Sequence, residues 1–147
     1  MPQFGDKKPF PYPHGDYNEQ DAKLSPDGRW LAYSSDRPKR DEIYVASFPE
    51  PGRDWQVSTS GGNYPVWSRD GRELYYLSPE RQMIVVSVQA GSQRITPGPP
   101  KALFQAGAMA PFDVSNDGRF LIQVPVEPRS ANAPLIVITN WQSALKK

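Results

Sequence analysis

A five-residue turn motif that occurs three times constrains the fold of this chain more than any other feature. Ser-x-Asp-Gly-Arg occupies residues 25–29, 68–72 and 115–119, and a short apolar run follows each copy. Asp-Gly between apolar runs indicates a β-hairpin, because glycine tolerates the positive φ that a tight, right-twisted turn requires. The aspartate carboxylate can accept hydrogen bonds from the amides of its own turn. We therefore assign a structural role to six turn residues, Asp27, Gly28, Asp70, Gly71, Asp117 and Gly118.

The spacing of the three copies predicts the architecture. Their aspartates are 43 and 47 residues apart, and the blades of a β-propeller repeat about every 40–45 residues as four-stranded sheets. The sequence therefore predicts an all-β fold with three four-stranded blades, at about residues 18–58, 62–104 and 110–139. Residues 1–7 are predicted to be a flexible lead, and residues 8–147 are predicted to be the propeller segment.

Within this frame, alternating and β-rich runs predict the individual strands. In the second blade, the third strand is predicted at residues 83–88, and a long loop then leads to an outer strand near Leu103. In the third blade, the inner strand is predicted at residues 112–115 and the next strand at 120–124. The charged segment 36–41 of the first blade is predicted to be a solvated loop.

A strand count predicts how the chain would close into a ring. Residues 8–12 are similar to residues 101–104, and both are interpreted as the outer strand of a blade, the one that the third blade lacks. Propellers have about 4–8 blades, so three blades would leave exposed sheet edges. We predict that two chains close a six-bladed ring as a homodimer, in which residues 8–12 complete the partner's third blade. An excised piece of a longer propeller is the competing interpretation.

Composition argues against several classes of partner. The formal net charge of +1 over 147 residues gives no long-range field that would attract nucleic acid or an anionic membrane. The chain has no cysteine, so disulfides and thiol chemistry are excluded. No apolar run approaches the roughly 18 residues of a membrane span, and the first residues lack the apolar core of a signal peptide. The chain as given is expected to be cytoplasmic, although a longer parent protein could be extracytoplasmic.

The sequence offers little material for catalysis. His14 is the single histidine, and a Ser-His-Asp triad or a histidine metal site within one chain would have to use it. The Gly-x-Ser-x-Gly motif of hydrolases is missing from the sequence, and no carboxylates have calcium-loop spacing. We therefore predict a non-enzymatic protein without a cofactor or a metal.

The inner strands offer the best candidate binding surface. Alignment of the copies on their motif serines places Lys23, Val66 and Asp113 in one register. Such positions lie near the mouth of a propeller's central channel, a concave site of the kind that holds ligands. An aromatic ring beside an amide also suits a protein or peptide ligand. The predicted ligand-binding residues are Asn63, Tyr64, Lys23, Asp113 and Phe112.

Two further sets of residues are assigned to packing rather than to chemistry. Large aromatic side chains dominate the cores between packed sheets, so we interpret three tryptophans as core between blades: Trp30, Trp55 and Trp67. The arginines at the turn exits are predicted to form ion pairs or hydrogen bonds from blade to blade: Arg29, Arg72 and Arg119.

The repeat resembles that of TolB-like β-propellers, on residues 25–33 followed by 42–45. Residues 61–76 and the final residues 140–147 are similar to the last blades of propellers found C-terminal to some bacterial serine/threonine kinases. The second and third copies have Arg69 and Asn116 in place of the proline, which leaves the Asp-Gly turn intact. The resemblance covers roughly residues 8–147.

The resemblance implies a binding or scaffolding surface, because TolB-like propellers bind protein partners, partly through the central channel. Two alternatives remain open from the sequence. The chain could be a sensor fragment of a bacterial serine/threonine kinase, or a gating fragment of a prolyl-oligopeptidase-type serine peptidase. In either alternative, the catalytic part would lie outside the sequence given, since no kinase or hydrolase motif occurs in it.

Overall fold

Every regular element that the structure describes is a β-strand, as the turn motif predicts. The structure is a computed structural model, and it describes residues 11–12, 15–124 and 136–138. The predicted lead, most of the strand at 8–12 and His14 lie outside those residues. None of the described residues belongs to a helix long and apolar enough to cross a membrane.

The described strands form three antiparallel sheets. The first sheet contains β1 (Glu19–Leu24), β2 (Trp30–Ser35), β3 (Glu42–Ser47) and β4 (Asp54–Gln56). The second sheet contains β5 (Asn63–Trp67), β6 (Glu73–Leu77), β7 (Gln82–Ala90), β8 (Ile95–Pro97) and β9 (Lys101–Gln105). The third sheet contains β10 (Phe112–Val114), β11 (Phe120–Ile122) and β12 (Ile136–Ile138). The all-β fold class is therefore confirmed.

The second sheet differs from the predicted four-stranded blade, because it contains five strands. β7 is nine residues long, and two short strands pair with different parts of it. Residues 82–85 of β7 pair with β9, whereas residues 88–90 pair with β8. The prediction of a single loop between β7 and β9 is therefore wrong, and the buried side chain of Ile95 explains why this segment is held against the sheet.

Two apolar cores hold the sheets together, one on each face of the second sheet. The first core lies between the first and second sheets and contains Trp30, Ala32, Ile43, Val45, Val57, Trp67, Leu74, Tyr76, Ile84, Val86, Val88 and Ile95. The second core lies between the second and third sheets and contains Tyr75, Leu77, Met83, Val85, Leu103, Ala106, Phe112, Phe120 and Ile122. Trp55 packs against the first core, so the predicted packing role of the three tryptophans is confirmed.

The inner strands of the three sheets lie side by side, with β5 in contact with both β1 and β10. The indole nitrogen of Trp67 donates a hydrogen bond to the Lys23 carbonyl oxygen (3.1 Å), which ties β5 to β1. Each of these two strands carries a β-bulge with a non-glycine residue at positive φ, Asp21 (57°) and Tyr64 (56°). Such residues are uncommon, and their matching positions agree with the sequence alignment of the two copies.

The three motif turns share one set of side-chain hydrogen bonds. The serine hydroxyl donates to the aspartate of its own turn, from Ser25 to Asp27 at 2.6 Å and from Ser68 to Asp70 at 2.7 Å. Ser115 donates to Asp117 in the same way. The turn glycines have φ values of 71°, 70° and 78° at Gly28, Gly71 and Gly118, a conformation that glycine adopts without strain.

The third hairpin nevertheless pairs one residue out of step with the other two. Val114 is opposite Phe120, whereas the equivalent residues Leu24 and Trp67 are opposite Leu31 and Leu74. A slip of one residue turns every side chain of a strand to the other face of its sheet. The expectation that the third copy repeats the first two therefore fails for the direction of the β11 side chains.

Candidate functional site

The ends of the three inner strands surround one open pocket of about 490 Å³, which we call the axial pocket. Lys23 and Leu24 come from the end of β1, and Arg69 follows β5. Phe112 and Asp113 come from β10. Each strand ends here because its motif turn follows directly, so the repeat itself brings these residues to one place.

The axial pocket has an apolar wall and a charged rim. Phe112 is buried and belongs to the second core, whereas the side chain of Leu24 is exposed. Lys23, Arg69 and Asp113 are exposed, and none of the three forms an ion pair with another described residue. The Asp113 carboxylate accepts a hydrogen bond from the backbone amide of Val114 (2.8 Å). The rim therefore offers two cations and one carboxylate to an incoming group.

The structure brings together some of the residues predicted to bind a ligand, but not all of them. Lys23, Phe112 and Asp113 line the axial pocket. Asn63 and Tyr64 lie at the other end of β5, ahead of its bulge. Asn63 donates a hydrogen bond to the Asp41 carboxylate (2.9 Å), and Tyr64 packs against the second core. Their assignment to the binding site stays a prediction.

Two pocket residues, Leu24 and Arg69, are missing from the predicted binding set. The motif alignment contains a signal for both, because Leu24 directly precedes the first serine and Arg69 is the variable residue of the second motif. Two predicted residues, Asn63 and Tyr64, lie at the start of β5, whereas the pocket forms where the inner strands end. Which end of a strand faces a cavity depends on how neighbouring sheets tilt, and no local pattern encodes that tilt.

Two of the three turn arginines do not link neighbouring sheets as predicted, and the prediction for Arg72 stays a prediction. Arg29 forms an ion pair with Asp27 (2.8 Å) and Arg119 forms one with Asp117 (2.8 Å), each within its own turn. The Ser25 hydroxyl, followed by the Arg29 side chain, lowers the pKa of Asp27 to about 2. In these two turns a single residue separates the aspartate from the arginine, so the guanidinium reaches the carboxylate of its own turn.

A larger open cleft of about 700 Å³ lies between the turns of the first two sheets. Arg29 and Arg72 line it together with Asp27 and Asp70, so its two cations face two carboxylates. The backbone amide of Arg72, followed by the Ser68 hydroxyl, lowers the pKa of Asp70. This balance of charge gives the cleft no preference for an anion or a cation, and the axial pocket is the better candidate.

A second surface covers the side of the first sheet that faces away from the second sheet. We call this side the outer face, and its cluster of apolar residues consists of Leu31, Tyr33, Tyr44 and Ala46. The side chain of Tyr12 crosses this region, donating a hydrogen bond to the Ser47 carbonyl oxygen (2.7 Å) and stacking on Phe48. Tyr12, Tyr17, Leu31 and Tyr33 line a groove of about 360 Å³ here.

Arg37 is the centre of the outer face, although segment 36–41 is predicted to be solvated. Its guanidinium lies 4.8 Å from the ring centroid of Tyr44 and 5.7 Å from that of Tyr33, distances that allow cation–π attraction. It also pairs with Glu19 (2.9 Å) and with Asp54. Burial opposes the charged form, but the hydrogen bonds to Asp54 and Glu19 outweigh it and raise the pKa of Arg37. The prediction is therefore wrong for Arg37.

Comparison with known proteins supports the fold assignment. No protein-family model matches the chain, and no curated protein matches it. The structure is similar to the crystal structure of TolB from Acinetobacter baumannii, with a TM-score of 0.55 and 18% identity over 74% of this chain and 27% of that one. Putative TolB from Agrobacterium tumefaciens gives a TM-score of 0.47 at 18% identity, over 69% of this chain and 40% of that one.

TolB has a β-propeller domain, and the likeness to the Acinetobacter structure is a likeness of fold. The chain spans 27% of the length of that TolB. We conclude that the chain has a TolB-like β-propeller fold, which confirms the resemblance noted on the turn repeat.

Proposed function

We propose that this chain is a non-enzymatic interaction module that binds an extended peptide or protein segment at the axial pocket. One observation carries the proposal: three inner strands end at a single open pocket, and their ends bring apolar and charged side chains to it. A concave surface with a few convergent polar groups is the usual setting of a binding site. In both alternatives named above, kinase sensor and peptidase gate, the propeller is likewise the part without catalytic residues.

The chemistry of the pocket selects among ligands. Lys23 and Arg69 have no ion-pair partner among the described residues, so they are free to bind carboxylates, whereas Asp113 is the one acid on the rim. Leu24 and Phe112 offer apolar contact beside these charges. The pocket therefore suits a segment in which acidic and apolar side chains alternate.

A fluorescence polarisation titration tests this assignment. The probe is a fluorescein-labelled hexapeptide of alternating leucine and glutamate, and a version with lysine in place of glutamate serves as the reversed-charge probe. We expect the double variant Lys23→Glu, Arg69→Glu to weaken binding of the acidic probe about ten-fold, since each exposed ion pair contributes up to about 1 kcal/mol. Lys101→Glu, an exposed charge reversal on β9, is the matched control and is expected to leave binding unchanged.

Equal binding of the acidic and basic probes, or an equal loss in the Lys101→Glu control, would count against the axial pocket. Asp113→Asn offers an independent check within the same pocket. Removal of the single rim carboxylate should strengthen binding of the acidic probe about two- to five-fold.

We also propose that two copies of the chain close one six-bladed ring, with residues 8–12 of each copy completing the third sheet of the other. Support comes from the outer face of the first sheet, which carries apolar side chains at positions that are packed against a neighbouring sheet in the second sheet. Light scattering across a dilution series should give about 33 kDa at high concentration, twice the 16.5 kDa of one chain. A folded 16.5 kDa species at every concentration would contradict the ring.

A further inference from the structure

We propose that the outer face of the first sheet and the outward face of the third sheet form the interface between two copies of this chain, and that β11 shifts its pairing by one residue when this interface forms. The inference deepens the self-association proposed above and rests on it. It assigns the surfaces that meet and a conformational change that accompanies their meeting.

Equivalent apolar positions of the first and second sheets differ in what they pack against. Leu74 and Tyr76 of β6 are 0% and 3% exposed, because they pack against the first sheet in the first core. Leu31 and Tyr33 hold the same two positions of β2 relative to their turn motif, but they point to the outer face. A further sheet stacked on the outer face would therefore continue the stacking that already joins the first two sheets.

The first sheet also shows which β-strand positions a sheet presents to the next sheet in the stack. Trp30 and Ala32 of β2 are the side chains that the first sheet presents to the second. Phe120 and Ile122 hold the same positions of β11 in the third copy, so a regular third sheet would present them outward to the next sheet. In the structure they face the second sheet instead and are 0% and 1% exposed.

The shifted register of β11 explains this reversal. Ser115 donates its backbone amide to the Arg119 carbonyl oxygen, one residue earlier than in the first two hairpins, where Ser25 bonds to Trp30 and Ser68 bonds to Glu73. The shift turns Leu121 outward, where it is 44% exposed. In a single chain, this register buries two large apolar side chains and exposes one.

Assembly would reverse the preference for that register. In the register of the first two hairpins, Leu121 would face the second sheet, as Leu74 faces the first. Phe120 and Ile122 would then meet Leu31 and Tyr33 of the second copy, just as Trp30 and Ala32 meet Leu74 and Tyr76 in the first core. All three β11 side chains would be buried, which a lone chain cannot achieve.

The single chain therefore hides both of the surfaces that a ring would need. Tyr12, Tyr17 and Arg37 lie over the outer face, and the shifted β11 turns its largest apolar residues away from solvent. Exposed apolar sheet faces and edges promote uncontrolled association. A register that changes only on contact with the correct partner would limit this association to the ring.

Paired cysteines can report the register directly, because the natural sequence contains none. Asp113 is opposite Leu121 in the structure, whereas the register of the first two hairpins would place Val114 opposite Leu121. Residues directly opposite each other in antiparallel strands are close enough for a disulfide. Asp113→Cys, Leu121→Cys therefore traps the shifted register, and Val114→Cys, Leu121→Cys traps the regular one.

The experiment oxidises each double variant and separates one-chain from two-chain species by size-exclusion chromatography with light scattering. We expect the Asp113–Leu121 disulfide to form in the one-chain species and to lower the two-chain fraction at least ten-fold. The Val114–Leu121 disulfide should enrich the two-chain species, and reduction should restore the unmodified behaviour of both variants.

A variant without disulfides covers the case in which a cysteine pair fails to fold. Leu121→Asn should leave the one-chain species folded and weaken association at least ten-fold, because residue 121 must be buried in the ring. Met109→Asn changes another exposed apolar residue outside any strand and should leave association unchanged. Equal effects of the two substitutions would overturn the register change.

The outcomes separate this inference from the proposal on which it rests. A two-chain species that retains the Asp113–Leu121 disulfide would overturn the register change and leave self-association standing. A one-chain species at every concentration, in the natural sequence and in all variants, would refute self-association, and the inference would fall with it.

Discussion

The first and third motif hairpins have the same turn but differ in the register of the two strands that the turn connects. Ser25 and Ser115 donate to the aspartates of their turns in the same way, and both glycines adopt the same positive φ. Yet Leu24 is opposite Leu31 in the first sheet, whereas Val114 is opposite Phe120 in the third. The motif therefore fixes a turn without fixing the register, which the burial of the following strand decides.

The residue that directly follows each motif shows why burial decides. It is Trp30 in the first copy, Glu73 in the second and Phe120 in the third. Phe120 is fully buried, with its ring centroid 5.2 Å from those of Tyr75 and Phe104. Burial in this aromatic cluster stabilises a phenylalanine more than it would a glutamate such as Glu73. Of these two hairpins, burial therefore favours the one-residue register shift in the third.

The largest effect is expected at Phe120. Phe120→Ala should lower the free energy of unfolding by about 3–5 kcal/mol, because it leaves a cavity in the second core. Glu73→Ala, at the same motif position in the second hairpin, should cost about 1 kcal/mol, since it removes only the acceptor for the Tyr75 hydroxyl (2.5 Å). Urea denaturation of both variants measures the difference. Similar losses would mean that Phe120 is not turned toward the second sheet.

The second residue after the motif, Leu74 in the second hairpin and Leu121 in the third, should show the opposite order of stability losses. Leu74→Ala should cost about 2–5 kcal/mol, because Leu74 is fully buried in the first core. Leu121→Ala should cost less than about 0.5 kcal/mol in the one-chain species, because Leu121 points to solvent. Thermal unfolding at low protein concentration suits this pair. A loss above about 2 kcal/mol for Leu121→Ala would mean that Leu121 is buried and that the lone chain has the register of the first two hairpins.

Loss of the motif serine should have a smaller and graded effect. Ser25 is buried, and its hydroxyl also accepts a hydrogen bond from the Trp30 amide (3.0 Å), so Ser25→Ala should cost about 1–2 kcal/mol. Ser115 is exposed, so water can replace its bonds, and Ser115→Ala should cost about 0.5 kcal/mol. Denaturant titrations of the two variants measure both losses of unfolding free energy. A larger loss for Ser115→Ala than for Ser25→Ala would mean that the third turn is the more buried one.

The smallest effect is expected from pH. The pKa of Asp27 is lowered to about 2, below its value in an unfolded chain, so its ionised form stabilises the fold. That contribution is complete above about pH 4 and is lost as the pH falls towards 2. Because Asp27 is largely exposed, solvent screening limits the contribution to a few tenths of a kcal/mol. Asp27→Asn should flatten the fall in unfolding free energy between about pH 4 and pH 2. An unchanged slope would show that Asp27 titrates normally.

The sequence predicts the turns and most strands because these depend on local patterns. Glycine at positive φ and alternating apolar residues are visible within a few positions, and both predict the hairpins of β1–β2 and β5–β6 correctly. β8 escapes prediction because Ile95 stands among polar and glycine residues and gains its strand conformation only by pairing with β7.

The candidate site depends on longer-range geometry and was predictable only in part. Alignment of the motif identifies Lys23 and Asp113 as neighbours across sheets. It gives no indication that Arg37, in a charged loop, folds back over Tyr33 and Tyr44. That contact requires β2 and β3 to be paired first, so no spacing along the chain encodes it.

The register of the third hairpin in the one-chain species is the most direct test of this account. Cross-strand nuclear Overhauser effects between backbone protons, recorded at a concentration where light scattering gives one chain, identify opposed residues without any substitution. We expect contacts of Val114 with Phe120 and of Leu24 with Leu31. Contacts of Val114 with Leu121 in that species would contradict this account.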